Sequence, residues 1–207
     1  MSDFFKITTV SFFDSEFAYC ESSDDAKYSS DTYPKCPVCG EAIGSLYWIE
    51  PRKVMLSKPK YGDFVSGNVF LVSEKFKNAY EKTTLKGIKE FIPVEVVKIK
   101  RMRKDSPPPP LYYTIELEYS YARVDRKKSI IKGQRDRRYC SLCMPFRSTK
   151  DKINGIYIDD TDWDGEDIFH LHEMGNSVYA SQKFIDFCLK NEFTNFKYVN
   201  TKKYVFT

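Results

Sequence analysis

The chain lacks the long apolar runs and the charge imbalance that mark several classes of protein. No stretch approaches about eighteen uninterrupted apolar residues, so we predict that no segment spans a membrane. The first residues also lack a basic region followed by an apolar core, which argues against a signal peptide. With 33 basic and 29 acidic residues, the net charge of +4 is too small to indicate nucleic-acid binding by itself. We therefore expect a folded cytoplasmic protein.

Recognisable catalytic motifs are also missing from the sequence. It contains no Gly-rich phosphate loop, no dinucleotide-binding fingerprint and no HExxH motif. Its two histidines, His170 and His172, alternate with Phe169 and Leu171, which places both imidazoles on one face of a strand. Because no nucleophile motif accompanies them, we interpret them as exposed strand residues and predict that the protein is not an enzyme.

Cysteine, in contrast, is present in a specific arrangement. Four of the six cysteines form two CxxC pairs, Cys36 with Cys39 and Cys140 with Cys143. Each CxxC turn supplies two thiolates, so two turns fill all four positions of a tetrahedral zinc site and leave none open for a substrate. We therefore predict one structural zinc ion per chain, bound by these four residues. A redox dithiol, a disulfide and unligated thiols are the alternatives.

The chain also contains an internal similarity. The segment GNVFLVSEKF at 67–76 matches GNSVYASQKF at 175–184 in five residues, at a constant offset of 108. Each segment holds a serine, Ser73 or Ser181, that suits a helix N-cap, and a strand-like run follows each helical stretch. We predict two diverged strand–helix–strand modules. Coincidence is the alternative, because a similarity of this size can arise by chance when the offset is free.

A long hairpin is predicted between the two modules. In LYYTIELEYSYA, every second residue between 111 and 121 is apolar, which predicts a strand with one buried face. In FIPVEVVKIK the apolar phase slips by one residue, which indicates a bulge near Val96. The joining loop, RMRKDSPPPP, should be an exposed and extended tip. We interpret four charged residues of the two strands as cross-strand pairs: Lys98, Lys100, Glu116 and Glu118.

These patterns together predict an α+β fold with a largely antiparallel sheet and a long central hairpin. We expect a single zinc-clamped domain over residues 1–207. Its two pseudo-repeats would cover about 30–100 and 134–207, joined by the hairpin at 90–124. The zinc would clamp one repeat to the other, because each repeat supplies one CxxC pair.

An acidic segment, DDTDWDGED at 159–167, is the densest negative charge in the chain. Its spacing matches the opening of a calcium loop, but the position that should hold the closing glutamate is Leu171. Calcium binding therefore stays open beside two other interpretations, a solvated surface loop and a patch that faces a protein partner. The candidate partner-binding residues are Asp159, Asp160, Asp162, Trp163, Asp164, Glu166 and Asp167.

Three features of the sequence resemble the double-CXXCG motif family of bacterial immunity proteins. They are the CPVCG motif, a second CxxC about a hundred residues later, and the C-terminal segment DIFHLHEMGNSVYASQKFIDFCLKNEFTNFKYV. The second motif departs from the family pattern, with Met144 where the family has glycine. The resemblance implies a non-enzymatic protein that binds and neutralises one cognate toxin of a polymorphic or contact-delivered system. The alternative is a zinc-stabilised nucleic-acid-binding protein that uses the basic segments 98–104 and 126–138, although these lack interleaved aromatic residues.

Overall fold

The computed structural model describes residues 2–8, 16–23, 26–29, 33–44, 48–67, 70–132, 140–143 and 152–206. Within these ranges the protein is mostly β, with two short helices, where the sequence predicted an α+β fold. The helices are α1 (Glu74–Tyr80), α2 (Gln182–Lys190) and a 3-10 turn (Thr201–Lys203). The strands are β1 (Phe4–Thr8), β2 (Cys20–Ser22), β3 (Arg52–Leu56), β4 (Phe64–Val65), β5 (Leu71–Ser73), β6 (Ile88–Ile99), β7 (Tyr112–Leu117), β8 (Tyr119–Ser120), β9 (Arg123–Val124), β10 (Ile130–Lys132), β11 (Lys152–Asn154), β12 (Ile158–Asp159), β13 (Ile168–Leu171), β14 (Val178–Ser181), β15 (Lys197–Asn200) and β16 (Val205–Phe206).

The strands in the described ranges form four sheets instead of the one that was predicted. The largest has the order β2-β3-β6-β7-β5-β4, and the next has the order β15-β1-β14-β13-β8. Two small sheets, β10-β11-β16 and β12-β9, complete the set. Most pairings are antiparallel, as predicted, but β3 runs parallel to β6 and β8 runs parallel to β13. The sheets are therefore mixed, because segments far apart in the chain pair beside the local hairpins.

The predicted strand–helix–strand unit is present twice. The first unit is β5-α1-β6 and the second is β14-α2-β15. Both serines cap their helices as expected: the Ser73 hydroxyl accepts from the Phe76 N–H at 3.2 Å, and the Ser181 hydroxyl from the Phe184 N–H at 3.3 Å. The two caps also share their backbone conformation, with φ −73° and ψ 161° in one and φ −75° and ψ 164° in the other.

Each unit is completed by a strand from elsewhere in the chain. Strand β7 lies between β5 and β6, and the N-terminal strand β1 lies between β14 and β15. The hairpin strand β7 is thus part of the sheet of the first unit, and β1 has the corresponding place in the second. The two helices then meet in one aromatic core, where Phe76 and Phe184 are both fully buried with ring centroids 6.1 Å apart.

Two aspartates tie the two units to each other. One carboxylate oxygen of Asp63 accepts from the Ser73 hydroxyl at 2.7 Å, and one of Asp167 accepts from the Ser181 hydroxyl at 2.8 Å. The other oxygen of Asp63 accepts from the backbone N–H of Thr194 at 2.9 Å, in the segment that follows α2. The other oxygen of Asp167 accepts from the N–H of Lys86 at 3.0 Å, in the segment that follows α1. Each aspartate therefore binds its own helix cap and the loop of the other unit.

The segments that receive these aspartates have similar backbone shapes. Gly87 and Asn195 follow the two bonded residues, and both have positive φ, 115° and 58°. A side chain at Gly87 would clash with the Ile168 carbonyl, because a Cβ there would lie 1.8 Å from its oxygen. At the other site, the Asn195 amide donates to the Phe64 carbonyl at 2.6 Å. At Gly87 the two backbones therefore lie close together, whereas at Asn195 a side-chain hydrogen bond joins the corresponding segments.

The hairpin contains the predicted bulge. Along the parallel pairing of β3 with β6, Val54 lies opposite Val96, but the next residue, Met55, lies opposite Lys98. Val97 is the extra residue, so the bulge expected near Val96 is confirmed. The predicted burial of the second strand is only partly right: Leu111 and Tyr121 are exposed, whereas the intervening Tyr112 is buried. The reason is that both faces of β7 are covered, one by the core around α1 and the other by the core around β3.

The predicted cross-strand charge pairs of the hairpin are wrong. The pairing of β6 with β7 extends only as far as Val94 opposite Tyr112, so Lys98 and Lys100 lie beyond it. Lys100 instead bonds to Glu21 at 2.7 Å, on the neighbouring strand β2. Period and charge do not fix the register of a hairpin whose loop length is unknown.

Candidate metal centre and interaction surfaces

The two CxxC pairs meet in space although about a hundred residues separate them. The sulfur atoms of Cys36, Cys39, Cys140 and Cys143 all lie within 4.8 Å of one another. Cys36 Sγ is 3.7 Å from Cys140 Sγ, and Cys39 Sγ is 3.3 Å from Cys143 Sγ. Four sulfurs at ~2.3 Å from a tetrahedral zinc ion would be about 3.8 Å apart. The four thiols therefore have the spacing that a metal ion requires.

Local turns present the thiols towards each other. In the first turn the Cys36 N–H donates to the Glu41 carbonyl at 2.8 Å and the Gly40 N–H donates back to the Cys36 carbonyl at 2.9 Å. Gly40 has φ +74°, a left-handed conformation that favours glycine, and it lies where the chain turns after the second thiol. Ile43 and Leu142 are buried and pack with Cys36 and Cys143 in one cluster, whereas Cys39 is exposed.

The second turn stabilises a thiolate. The backbone N–H groups of Leu142 and Cys143 donate to Cys140 Sγ at 3.4 and 3.5 Å. The Cys143 N–H bond lowers the pKa of Cys140 to about 6, whereas burial raises the pKa of Cys143. Thiolate is the form that binds metal, so this donor pattern suits a metal ligand. None of the six cysteines is in a disulfide, and Cys20 and Cys188 are buried away from this cluster.

The acidic segment 159–167 is more involved in the fold than its composition suggested. Glu166 and Asp167 are buried, and both accept hydrogen bonds from serine hydroxyls, at 3.0 Å from Ser120 and 2.8 Å from Ser181. Burial raises the pKa of Glu166. These two residues are therefore part of the scaffold and are not available to a partner, which corrects that part of the predicted surface.

Trp163 has a packing role in the same segment. Its ring meets Phe4 edge-on with centroids 5.1 Å apart, and its indole N–H donates to the Glu166 carbonyl at 3.2 Å. The candidate partner-binding residue Trp163 is thus partly buried and packs against the core that contains Phe4 and Phe169.

The remaining aspartates of the segment lie at or near the surface. The Ser2 backbone N–H bonds to Asp160 at 2.7 Å, and Asp162 pairs with Arg123 at 3.6 Å. Asp159, Asp162 and Asp164 are exposed. In the described part of the chain, the cysteine site is where metal-ligating atoms of three or more residues converge, and these aspartates do not form a second such group.

The two histidines are more buried than predicted. His172 is buried, and its Nδ1 lies 2.9 Å from the Ser120 carbonyl. His170 is half-buried, and its Nδ1 lies 3.0 Å from the Ser177 carbonyl. A carbonyl can only accept, so both imidazoles carry their hydrogen on Nδ1, and burial lowers the pKa of each. The Tyr119 ring, on the neighbouring strand β8, packs against both imidazoles, with ring centroids 5.1 Å from His170 and 5.4 Å from His172. No local sequence pattern indicates this contact.

Both imidazoles line a groove of about 1340 Å³ that sequence reasoning did not anticipate. Trp48, Arg52 and Tyr119 also line it, together with parts of the first CxxC turn. The Arg52 guanidinium is half-buried and donates to Thr114, on β7. Charges of both signs surround the groove, so it has no single electrostatic character.

In the described part of the second basic segment, 126–132, two cations have acidic partners within the protein. Arg126 pairs with the buried Glu173 at 3.3 Å, and Lys128 pairs with Asp125 at 2.9 Å. Residues 133–138 of that segment lie outside the described residues. The first basic segment, at the hairpin tip, is exposed between residues 101 and 104.

Comparison with known families identifies the chain. The model of the Immunity protein family (Imm11) matches residues 48–203. The chain belongs to the Imm11 immunity protein family. A search of curated proteins finds no match. The match of the Imm11 model includes both strand–helix–strand units and the second CxxC pair, and it begins after the first pair.

Membership in Imm11 confirms the prediction of an immunity protein and supports a binding role in a toxin system. The narrower resemblance to the double-CXXCG motif family stays a prediction. In the described residues of this Imm11 chain, neither helix is long and apolar enough to cross a membrane.

Proposed function

We propose that this Imm11 protein neutralises a cognate bacterial toxin by binding it, without catalysis, on a scaffold stabilised by one zinc ion. The observation that carries the proposal is the family match over residues 48–203. Immunity proteins of toxin systems act on a protein partner, so the function lies in an interface rather than in a reaction. We place this activity in the cytoplasm, where six free thiols would stay reduced.

The zinc ion is supported by the chemistry of its four donors. Four thiolates form the ligand set of closed structural zinc sites, in which no position remains for water or substrate. The site joins a turn at 36–39 to a turn at 140–143, so bound metal would hold distant parts of the chain together. We assign it a structural role and no part in chemistry.

We also propose that residues 1–207 form one domain of two pseudo-repeats. The shared helix caps and the reciprocal aspartate bonds support this organisation. Both repeats contribute to one core around Phe76 and Phe184, which argues against two independent domains. The boundaries of about 30–100 and 134–207 need one extension, because β1 completes the second repeat.

The exposed aspartates of the acidic segment are a proposed contact with the toxin. Asp159, Asp162 and Asp164 form a negative patch that would complement a basic cleft, such as those of toxins that act on nucleic acids. We exclude Glu166, Asp167 and Trp163 from this patch because of their internal contacts.

Coexpression tests the function directly. The probe is the product of the neighbouring gene, where we expect the cognate toxin to be encoded, expressed in a sensitive bacterial host with and without the immunity protein. We expect the chain to restore growth and to form a complex with the toxin domain that elutes as one species. The double variant Asp162→Ala/Asp164→Ala should keep its fold and bind more weakly, while Asp186→Ala, an exposed acid on α2, should bind as the wild type. Failure of the wild type to protect or to bind would refute the proposal.

A further inference from the structure

The hairpin of β6 and β7 carries a projection that the rest of the scaffold does not require. Antiparallel strands can be joined by as few as two residues, yet seventeen residues, 95–111, separate the last residue pair of this hairpin. Residues 95–99 continue β6 along β3, and residues 100–111 then return without regular structure. We call residues 97–111 the finger. Long irregular loops are uncommon in compact domains and are usually either functional or disordered linker segments.

The second unit has no counterpart of the finger. Its equivalent of β6 is β15, which ends at Asn200 and leads into the 3-10 turn. Its equivalent of β7 is β1, to which β15 is not connected directly in sequence. Both units therefore have the same kind of helix cap and contribute to one core. Only the first unit carries the finger. The loop part of the finger, residues 100–111, is therefore an addition to the shared scaffold, whereas residues 97–99 belong to β6.

Hydrogen bonds within the finger, and one from Tyr61 outside it, fix the conformation of the finger. The Ser106 N–H donates to the Arg103 carbonyl at 3.1 Å, and the Arg103 N–H donates back to the Ser106 hydroxyl at 2.9 Å, which closes the tip. The Tyr61 hydroxyl donates to the carbonyl of Pro107, the first of the four prolines, at 2.9 Å. Proline restricts the free chain and favours an extended form, so little conformational entropy is lost when such a segment binds.

The surface of the finger is both basic and apolar. Lys98, Arg101, Arg103 and Lys104 are exposed, and Asp105 is its single acid. In the described part of the chain none of these four cations is in a salt bridge, whereas Lys100 at the base is paired with Glu21. Beside them three apolar side chains face solvent: Val97 is 43%, Met102 51% and Leu111 60% exposed.

We propose that the finger is a docking element for an acidic surface of the toxin. Arginine and methionine are enriched in protein interfaces, and unpaired cations beside exposed apolar side chains match an acidic protein patch with an apolar centre. The finger contains no aromatic residue on which a nucleic-acid base could stack, so a protein partner fits it better than a single strand does. This inference rests on the proposed function.

The test reverses the charge of the finger in the full-length protein. The variant is Lys98→Glu/Arg103→Glu/Lys104→Glu, and Arg101 is retained because its φ of +58° shapes the turn. The matched control, Lys82→Glu/Lys127→Glu/Lys197→Glu, makes the same change in net charge at exposed lysines outside the finger. A second variant, Met102→Ser/Leu111→Ser, removes two of the three exposed apolar side chains and leaves the charge unchanged. Circular dichroism and metal content check that each variant folds.

Association with the neighbouring toxin domain is then measured at about 50 and 200 mM salt. We expect the charge reversal to weaken binding at least ~100-fold, mainly because association becomes slower, and to remove the salt dependence of binding. The control should change the affinity less than about 3-fold. The apolar variant should weaken binding about 10-fold through faster dissociation. Equal losses in finger variant and control, or no loss in either, would overturn the docking role while leaving the proposed function intact.

Two further outcomes are distinguishable. If the wild type does not bind the toxin domain, the proposed function fails and the docking role fails with it. If the wild type binds a 20-base-pair DNA duplex or a 20-nucleotide RNA with a steep salt dependence that the finger variant loses, the finger is a nucleic-acid contact and the inference is wrong.

Discussion

Cys140 shows how one residue depends on both its local turn and a distant segment. Its sulfur accepts two backbone N–H groups from its own turn and lies 3.7 Å from the sulfur of Cys36. If one of the four thiolates is removed, the site should lose the metal ion, and the remaining three thiols then have no cation to hold them together. The energetic consequence should therefore exceed that of losing a buried thiol elsewhere.

We predict that Cys140→Ser abolishes stoichiometric zinc binding. The free energy of unfolding should fall by several kcal/mol, because metal binding to a folded site contributes directly to folding, on the order of 10 kcal/mol in zinc peptides. Metal analysis of protein purified under reducing conditions and chemical denaturation measure both effects. The control is Cys188→Ala, in the core around α2, which should lose some stability and keep about one zinc per chain. A wild-type protein without metal, or with a disulfide inside either pair, would contradict the prediction.

The two histidines should give the protein a stability that declines in mild acid. Burial lowers the pKa of His170 and His172 in the folded state, whereas in the unfolded chain they titrate near ~6.5. As the pH falls through ~6.5, the unfolded chain binds protons first, so the free energy of unfolding decreases. Burial raises the pKa of Glu166 and Glu173, and these acids act in the opposite sense.

A comparison with His170→Asn/His172→Asn isolates the histidine contribution. Asparagine amides can donate to the same two carbonyls but do not titrate. We expect the stability of the wild type to fall more steeply than that of the variant between about pH 6.5 and pH 5, as measured by urea denaturation at each pH. Parallel curves would show that the imidazoles do not carry this dependence, and Glu166 and Glu173 are common to both proteins.

At the scale of elements, the two helices are short and depend on their first turns. Helix α1 has seven residues and α2 has nine, below the length at which an isolated helix is stable in water. Each starts at a serine that both caps the helix and donates to a buried aspartate. The cap thus connects helix formation to the bonds between the two units.

We predict that Ser73→Ala and Ser181→Ala destabilise the protein by similar amounts. Each removes one cap and one hydrogen bond to a carboxylate, which together should cost about 1.5–3 kcal/mol. The exposed Thr84→Ala is the control and should change stability by less than about 0.5 kcal/mol. Chemical denaturation gives all three values. If either cap variant loses no more stability than the Thr84 variant, the two caps do not contribute equally to stability despite their similar structure.

At the scale of the whole molecule, the chain ends and the middle are interdependent. Strand β1 is an inner strand of the second sheet, between β15 and β14, and its Phe4, Phe5 and Ile7 are buried in two separate cores. The aspartate bonds connect each unit to the other. The units should therefore unfold together.

We predict that deletion of residues 2–8 abolishes cooperative folding of the entire chain. The deletion removes the strand that pairs with both β14 and β15, so the second unit cannot form and the first loses its packing partner. Near-ultraviolet circular dichroism and thermal unfolding measure the loss. Asp3→Ala, which removes only the exposed ion pair with Lys202, should behave as the wild type. A truncated protein that retains half of its cooperative transition would show that the first unit folds alone.

Several features were determined by the sequence alone. The CxxC spacing identified the four clustered thiols, and the constant offset identified both helix caps, because a metal turn and an N-cap are local patterns with fixed residue spacing. The one-residue shift in the alternation of apolar residues located the bulge in β6, because a bulge also changes a local pattern. The resemblance of the C-terminal segment led to the immunity function, which the family match confirms.

Only the tertiary structure decided which residues face solvent and which strands pair. Glu166, Asp167 and Trp163 belong to the most acidic part of the sequence, yet long-range contacts with Ser120, Ser181 and Phe4 draw them inward. The place of β1 between β14 and β15, and the absence of a finger in the second unit, likewise depend on pairing across the full length of the chain. Local sequence specifies turns, caps and alternation, but register and burial are fixed by contacts between segments that no local pattern connects.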